Sequence, residues 1–304
     1  MTGFSTQWLS LRESADHRAR HAGLCHELHQ YFETTQPALG KSEQFPLSVT
    51  DLGCGSGSNL RALAENFPAY QHWTLVDYDQ ALLDAARETL LKWADQVIPH
   101  DADKDIDKDI DKDTSLDTHA AIRFLKTGKQ ITVQFMQIDL AKNIEHVLAN
   151  PTNLITAAAF FDLVSPEWIT RFCQSLNAPL FTVLTYDGTE KWTPAHFADQ
   201  SVLNAFHAHQ ATDKGFGLSA GPGAVEMIQT QLCKRHFNIR LEKSPWLLNA
   251  REDQALMQAL ASGSAAAVAE TNQVSTVDLN AWLNARLQAQ TCEIGHWDLF
   301  ATPH

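Results

Sequence analysis

The chain has 304 residues, 44% of them hydrophobic, and a formal net charge of −13. That excess of carboxylates argues against a nucleic-acid substrate, whose phosphates require a basic track, and favours a small-molecule partner. No apolar run is long enough to span a bilayer, and the opening Met1-Thr2-Gly3-Phe4-Ser5 lacks the basic-then-apolar pattern of a signal peptide. A cytoplasmic protein with no membrane partner is therefore expected. The five cysteines, Cys25, Cys54, Cys173, Cys233 and Cys292, are scattered and form no Cys-x-x-Cys pair. This pattern predicts reduced thiols rather than a disulfide framework or a zinc ribbon.

In chain order, residues 6–33 read as helical, with Trp8, Leu9, Leu11 and Leu24 as apolar anchors. Leu47 and Val49 mark a first strand, and Leu60, Leu63, Ala64 and Phe67 the helix that follows. Between them lies Asp51-Leu52-Gly53-Cys54-Gly55-Ser56-Gly57-Ser58-Asn59. A strand, a glycine-rich turn and a helix in that order set backbone N–H groups and a helix N-terminus against a ligand. In a dinucleotide fingerprint the third glycine comes one residue later, where this chain has Ser58. The loop also lacks the Lys-Ser/Thr ending of a phosphate-binding loop. The carboxylate of Asp51 suits a ligand carrying an ammonium or sulfonium group better than one carrying a pyrophosphate.

Trp73 to Val76 reads as a second strand ending at Asp77-Tyr78-Asp79, where an acid can accept the two hydroxyls of a ribose. A helix follows, carried by Ala81, Leu82, Ala85, Ala86 and Trp93. Residues 99–118 contain an Asp-Lys-Asp-Ile repeat too rich in Asp for a helix or strand interior, so a loosely ordered surface insertion is predicted there. The alternating lysines and the absence of glycine do not fit a calcium loop, and no metal is expected. Ile131 to Ile138 is a third strand, ending at Asp139-Leu140, where a carboxylate can accept an adenine amino group. Leu154 to Phe160, nearly all apolar, suits a central parallel strand buried on both faces.

With these motifs in view, the chain resembles the class I S-adenosylmethionine-dependent methyltransferases. The resemblance rests on Asp51–Gly57, Asp77, Asp139 and the stretch Leu154–Val164 with its Phe-Phe-Asp-Leu-Val end, and it covers roughly residues 45–190 plus the last strand. It implies an α/β, Rossmann-like sheet of seven mostly parallel strands in the order 3-2-1-4-5-7-6, the seventh antiparallel, with helices on both faces and added lid helices. It also implies S-adenosyl-L-methionine as cofactor, leaving S-adenosyl-L-homocysteine as product. Asp51 and its loop, with Gly53, Cys54, Gly55, Gly57 and Asn59, would hold the methionine part, Asp77 the ribose and Asp139 the adenine, and Tyr78, Leu140 and Phe160 would also contact the cofactor. One methyltransferase domain is expected over residues 1–304. Within it, 1–45 would form a helical lid, 46–186 the cofactor core, and 187–304 the substrate-side segments that complete the sheet.

The remaining strands are predicted at Leu180 to Tyr186, Phe237 to Leu241 and Ile294 to Phe300, and helices at 222–235, 251–270 and 276–290. Ser275-Thr276-Val277-Asp278 is a good helix start, and Ser165-Pro166-Glu167 reads as a cap, a first-turn proline and an acid on the helix dipole. The acceptor side carries less signal, because methyl transfer needs a base only when the acceptor must lose a proton first. The chain lacks the Asn/Asp-Pro-Pro-Tyr/Phe pattern of amino methyltransferases that act on DNA bases or protein glutamine. Asp162 lies just past a buried strand's carboxyl end, and Tyr186 and Asp187 end the fifth strand, facing the same crevice. His207 and His209 precede a mixed Asp-Lys-Gly-Phe-Gly loop, and histidine is a residue type suited to a general base. Asp162, Tyr186, His207 and His209 are thus the catalytic candidates. Arg12, Arg18 and Arg20 are either ligands for an acidic group or a solvated helix face, and His21, Cys25 and His29 share a helical spacing without an outlying fourth ligand. The expected reaction moves a methyl group to an O, N or C nucleophile of a small molecule. Aminopropyl transfer or cyclisation on the same cofactor, and a non-catalytic cofactor-binding subunit, remain as alternatives.

Overall fold

The computed structural model describes residues 4–99, 121–213 and 215–304. The acidic repeat, from residue 100 on, lies outside the described residues.

Two helices open the chain where one was predicted. Helix α1 (Thr6–Ala19) is capped by Ser5, and α2 (Ala22–Thr35) by His21, whose Nδ1 accepts from the Leu24 N–H. The break at Arg20-His21 turns the chain so that Leu24, Leu28 and Phe32 of α2 pack on the sheet. Strand β1 (Leu47–Leu52), helix α3 (Ser58–Leu63), strand β2 (Tyr70–Asp77) and helix α4 (Gln80–Trp93) follow as a β-α-β-α run. After the two-residue β3 (Gln96–Val97), strand β4 (Ile122–Lys126) turns through Thr127-Gly128 into β5 (Lys129–Gln137). Then come α5 (Leu140–Leu148), β6 (Leu154–Ala158), α6 (Pro166–Ser175), β7 (Leu180–Thr193), α7 (Asp199–Gln210) and α8 (Ala224–Lys234). The chain ends with β8 (Asn238–Lys243), β9 (Trp246–Asn249), α9 (Gln254–Thr271), α10 (Thr276–Arg286) and β10 (Thr291–Thr302).

These strands make one sheet in the order β3-β4-β5-β2-β1-β6-β7-β10-β8, with β9 also on β10. The α/β, mostly parallel class is as expected, but the sheet has ten strands rather than seven. The central block β5-β2-β1-β6-β7 is parallel, and β10 runs antiparallel between β7 and β8. Short β3 and β4 extend one edge, and β9 extends the other along the first half of β10. Strand β7 runs seven residues past its predicted end at Tyr186, because Thr291 to Ile294 of β10 pair with its extension.

Alternation along the strands divides the core into two layers. Leu47, Val49, Trp73 and Leu75 face α2, α3 and α4, whereas Leu52, Val76, Ile155 and Leu180 face α5, α6 and α8. Expected caps are in place: Ser165 Oγ accepts from the Trp168 N–H at 3.2 Å, and Ser275 Oγ from the Asp278 N–H at 3.1 Å. All five cysteines are free thiols. Among the described residues no helix is long and apolar enough to cross a membrane.

Candidate cofactor and acceptor site

The glycine loop leaves β1 at the carboxyl edge of the sheet and turns on residues with positive φ: Gly53 (61°), Gly55 (52°) and Gly57 (75°). An L side chain is strained in that region. At Gly53 there is also no room, since a Cβ would stand 2.6 Å from the Phe160 ring. Below the loop opens a cavity of about 390 Å³. Its walls are the loop, Asp77 and Tyr78 after β2, Ile138 to Leu140 after β5, Ala158 to Phe160 after β6, and Leu9, Arg12, Asp16 and Arg20 from the N-terminal helices. Gly215 and Phe216 close the remaining side. The Phe216 ring packs edge-on against Phe160 and Trp168, and the Asp213 carboxylate accepts from the Gly215 and Gly217 N–H groups, which holds that loop in place.

Most of the residues predicted to bind the cofactor meet in this cavity. Asp51 is fully buried, and its Oδ1 accepts from Asn59 Nδ2 at 2.8 Å while Oδ2 has no partner among the described residues. The same Asn59 amide also donates to Thr156 Oγ1 at 2.9 Å, so Asn59 orients Asp51. Burial pushes the Asp51 carboxyl up to about 7, against the pull of Asn59 and of the Arg20 guanidinium. Asp77 is buried too, accepting from the Gly55 N–H at 3.0 Å and the Asp79 N–H at 3.0 Å. Burial raises its pKa, and these backbone bonds oppose the rise. Asp139 lines the wall, but its carboxylate also caps α5 through the Ala141 N–H and pairs with Lys142 at 2.8 Å, which lowers its pKa. Gly57 departs from expectation. It does not line the cavity and serves as the left-handed residue that starts α3.

The N-terminal arginines separate sharply. Arg12 pairs with Asp16 through two hydrogen bonds and lies over the Trp246 ring, and Arg18 pairs with Asp253 at 2.6 Å. Arg20 lines the cavity with its Nε and Nη1 sealed from solvent and without a partner among the described residues. Burial lowers its pKa, while Asp298, Cys25, Asp16 and Asp51 pull it back up. A buried guanidinium and a buried carboxylate, each with a free hydrogen-bonding edge on one cavity, are complementary to an amino-acid zwitterion. The methionine end of S-adenosylmethionine is such a group, so the residues present fit it. His21 caps α2 and His29 pairs with Glu33 at 3.3 Å; among the described residues no group of three or more His, Cys, Asp or Glu converges as metal ligands.

Of the catalytic candidates, three gather beside the cavity and one does not. Tyr186 OH and His207 Nε2 are 3.0 Å apart. Asp162, just before the cavity residue Leu163, accepts from Gln210 Nε2 at 3.3 Å through Oδ2, and its Oδ1 has no partner among the described residues. Burial pushes the Asp162 carboxyl up to about 6, against the pull of its own backbone N–H, the Arg12 guanidinium and the Tyr186 N–H. His209 lies elsewhere, 3.1 Å from Glu270 at the surface. Two residues apart on a helix is about 200°, so His207 and His209 must point to opposite sides. Asp187 does not share the crevice either: neighbours on a strand alternate, and its carboxylate turns back to the N–H and hydroxyl of Thr189. Gln210 and His296 were not predicted. Gln210 follows His207 by three residues, and that helical spacing was the available signal. His296 had none, because β10 brings it in from the far end of the chain.

Residues 49–118 match the methyltransferase domain family. No curated protein matches the chain in sequence. Among solved structures it is similar to a cyclopropane-fatty-acyl-phospholipid synthase-like protein from Lactobacillus casei (13% identity, 99% of this chain and 94% of the other, TM-score 0.48). It is similar as well to the O-methyltransferase TomG from Streptomyces achromogenes, solved with S-adenosylmethionine (11%, 100% and 93%, TM-score 0.41). A third is phosphoethanolamine N-methyltransferase 2 of Haemonchus contortus (11%, 100% and 59%, TM-score 0.41). The matched domain, on this sheet and beneath this glycine loop, defines an enzyme that draws on S-adenosylmethionine. The match assigns a methyltransferase domain to residues 49–118, the stretch that carries β1, the glycine loop, β2 and α4.

Proposed function

We propose that this enzyme transfers the methyl group of S-adenosylmethionine to an O, N or C nucleophile of a small molecule in the cytoplasm. Asp51 and Arg20 hold the methionine end, Asp77 and Tyr78 the ribose, and Asp139, Leu140 and Phe160 the adenine side. Helices α1 and α2 cover the cavity as a lid, and the segments after β7 supply the acceptor side. When bound, the cofactor supplies a methyl group on a sulfonium, activated for in-line displacement. The chain's own contribution is alignment and exclusion of water, which account for much of the rate in such displacements. Where the nucleophile must lose a proton, Asp162 and the Tyr186–His207 pair are the acceptors at hand.

The observation that carries this reading is the pair of free, buried edges on one cavity, Asp51 Oδ2 and Arg20 Nε/Nη1. A small acceptor is supported by the cavity's closure under Leu9, Arg12 and Phe216 and by the net charge of −13, which disfavours nucleic acid. Calorimetry with S-adenosylmethionine and S-adenosylhomocysteine tests the cofactor roles. Both should bind with one-to-one stoichiometry, and absence of binding by both overturns the assignment.

A further inference from the structure

The break between α1 and α2 takes one backbone donor away from its helical acceptor. In a continuous helix the His21 N–H would bond to the carbonyl four residues back. Arg20 is extended instead (φ −54°, ψ 134°), and the His21 N–H donates to Asp298 Oδ2 at 2.8 Å. Asp298 comes from β10, at the far end of the chain, and is fully buried. Its Oδ1 accepts from the Leu184 N–H of β7 at 2.9 Å and from the Ser244 hydroxyl at 2.5 Å. These donors explain the residue type. They reach both oxygens, and only a carboxylate accepts at both, whereas an amide would turn an NH₂ group toward one of them.

The sheet is shaped around this carboxylate. Thr185 pairs with Trp297 and Thr182 with Leu299, so Val183 and Leu184 together face Asp298 in a bulge. Leu184 takes a φ of 58°, a region that strains an L side chain and persists only where the surroundings fix it. Arg20, the residue before the anchored N–H, lines the cofactor cavity with Nε and Nη1 unpartnered among the described residues. Burial works against its charge, and of the carboxylates that sustain it Asp298 is the strongest, ahead of Asp16 and Asp51. Asp298 therefore serves one guanidinium in two ways. It fixes the backbone that carries Arg20, and it supplies negative charge while its own oxygens are engaged by His21, Leu184 and Ser244.

We propose that Asp298 is a positioning residue for the cofactor, which by holding the break between α1 and α2 presents Arg20 to the carboxylate of the methionine end. The role rests on the reading that Arg20 holds that carboxylate. It has a selective consequence: loss of Asp298 weakens ligands that carry the carboxylate more than ligands that lack it.

The test is calorimetry on the full chain with S-adenosylhomocysteine and its decarboxylated counterpart, which keeps the adenosine, the sulfur and the ammonium on a 3-aminopropyl chain. The wild type should prefer S-adenosylhomocysteine by at least about tenfold, the range of a hydrogen bond to a charged group. In Arg20→Met the preference should collapse to about twofold or less. In Asp298→Asn it should fall by about threefold or more, with affinity for the decarboxylated ligand held within about threefold of wild type. A part in the fold alone would weaken both ligands alike, so an unchanged preference in Asp298→Asn overturns the proposal. Should that variant bind neither ligand, Ser244→Ala takes its place, since it removes one donor to Oδ1 and leaves the His21 bond. The preference should then fall by about twofold or more, and an unchanged preference again overturns the proposal. A preference that survives Arg20→Met takes the carboxylate away from Arg20 and overturns the proposal with cofactor binding itself intact. If the wild type binds neither ligand, the cofactor reading falls and the positioning role falls with it.

Discussion

The two halves of the site are built on different principles. On the cofactor side, each carboxylate is held by groups close to it in sequence or on the next strand. Asp77 is fixed by the Gly55 and Asp79 N–H groups, and Asp51 by Asn59, eight residues on. On the acceptor side, side chains hold one another across long separations, Tyr186 with His207 and Asp162 with Gln210. Backbone donors persist when side chains vary, whereas a side-chain pair is lost with either member. The loop anchored on Asp77 is therefore the rigid part, the Asp51–Asn59–Thr156 chain depends on its side chains, and the proposed acceptor side is where a change of substrate would be accommodated.

The largest expected effect falls on the rigid loop. Gly53→Ala places an L residue at a φ of 61° and a Cβ 2.6 Å from Phe160. Left-handed strain of about 1–2 kcal/mol and overpacking of about 1–3 kcal/mol both apply. Cofactor affinity should fall by at least about thirtyfold and the melting temperature should drop, both readable by calorimetry. An unchanged affinity would show that the loop relaxes freely and is no more rigid than the acceptor side. Next is Asp77→Ala, which removes an anchor of the loop along with the proposed ribose contact. It should weaken cofactor binding by about 1–3 kcal/mol, and unchanged affinity would sink the ribose assignment.

A smaller effect should appear with pH. In the free protein, burial holds Asp51 protonated up to about 7, whereas an ammonium beside it favours the carboxylate. Cofactor affinity should therefore rise as pH increases from about 5.5 to about 7.5, by at most about tenfold per pH unit for one proton released. The ligand-free protein should show the opposite trend. An unfolded Asp ionises near its ordinary value while the folded one keeps its proton, so stability falls with rising pH until the folded pKa is reached. Asp51→Asn should flatten both slopes. Slopes that persist in that variant would assign them to another group in the cavity.

How far each half was legible follows from the same contrast. The loop, Asp77, Asp139 and the apolar β6 are signals contained within a few residues, so the fold class and the cofactor wall could be read in order. Gly57 was over-read because spacing alone does not separate a glycine that lines a cavity from one that only turns the chain. The Thr127-Gly128 turn between two alternating runs was a readable hairpin signal, yet β4 was missed beside the low-complexity repeat. The acceptor side had no such compact signature. Arg20 stood among three similar arginines, and only the break between α1 and α2 turns it into the cavity while Arg12 and Arg18 find carboxylates. Gln210 and His296 become neighbours of the site through α7 and the returning β10, which no local pattern announces.

The smallest expected effect sharpens the boundary of the acceptor half. His209 shares a helix and a residue type with His207, but its ring meets Glu270, itself exposed, on the outer side of α7. Exposed pairs of this kind contribute at most about 1 kcal/mol and are screened by salt. His209→Ala should leave turnover within about twofold and lower stability by no more than about 0.5 kcal/mol. His207→Ala removes the partner of the Tyr186 hydroxyl and leaves it buried without one, a cost of about 1–3 kcal/mol. A steady-state comparison of the two variants, with melting temperatures, decides whether α7 contributes by its inner face alone. If His209→Ala is as damaging as His207→Ala, the acceptor half extends over the helix, and its division from the surface at Gln210 is wrong.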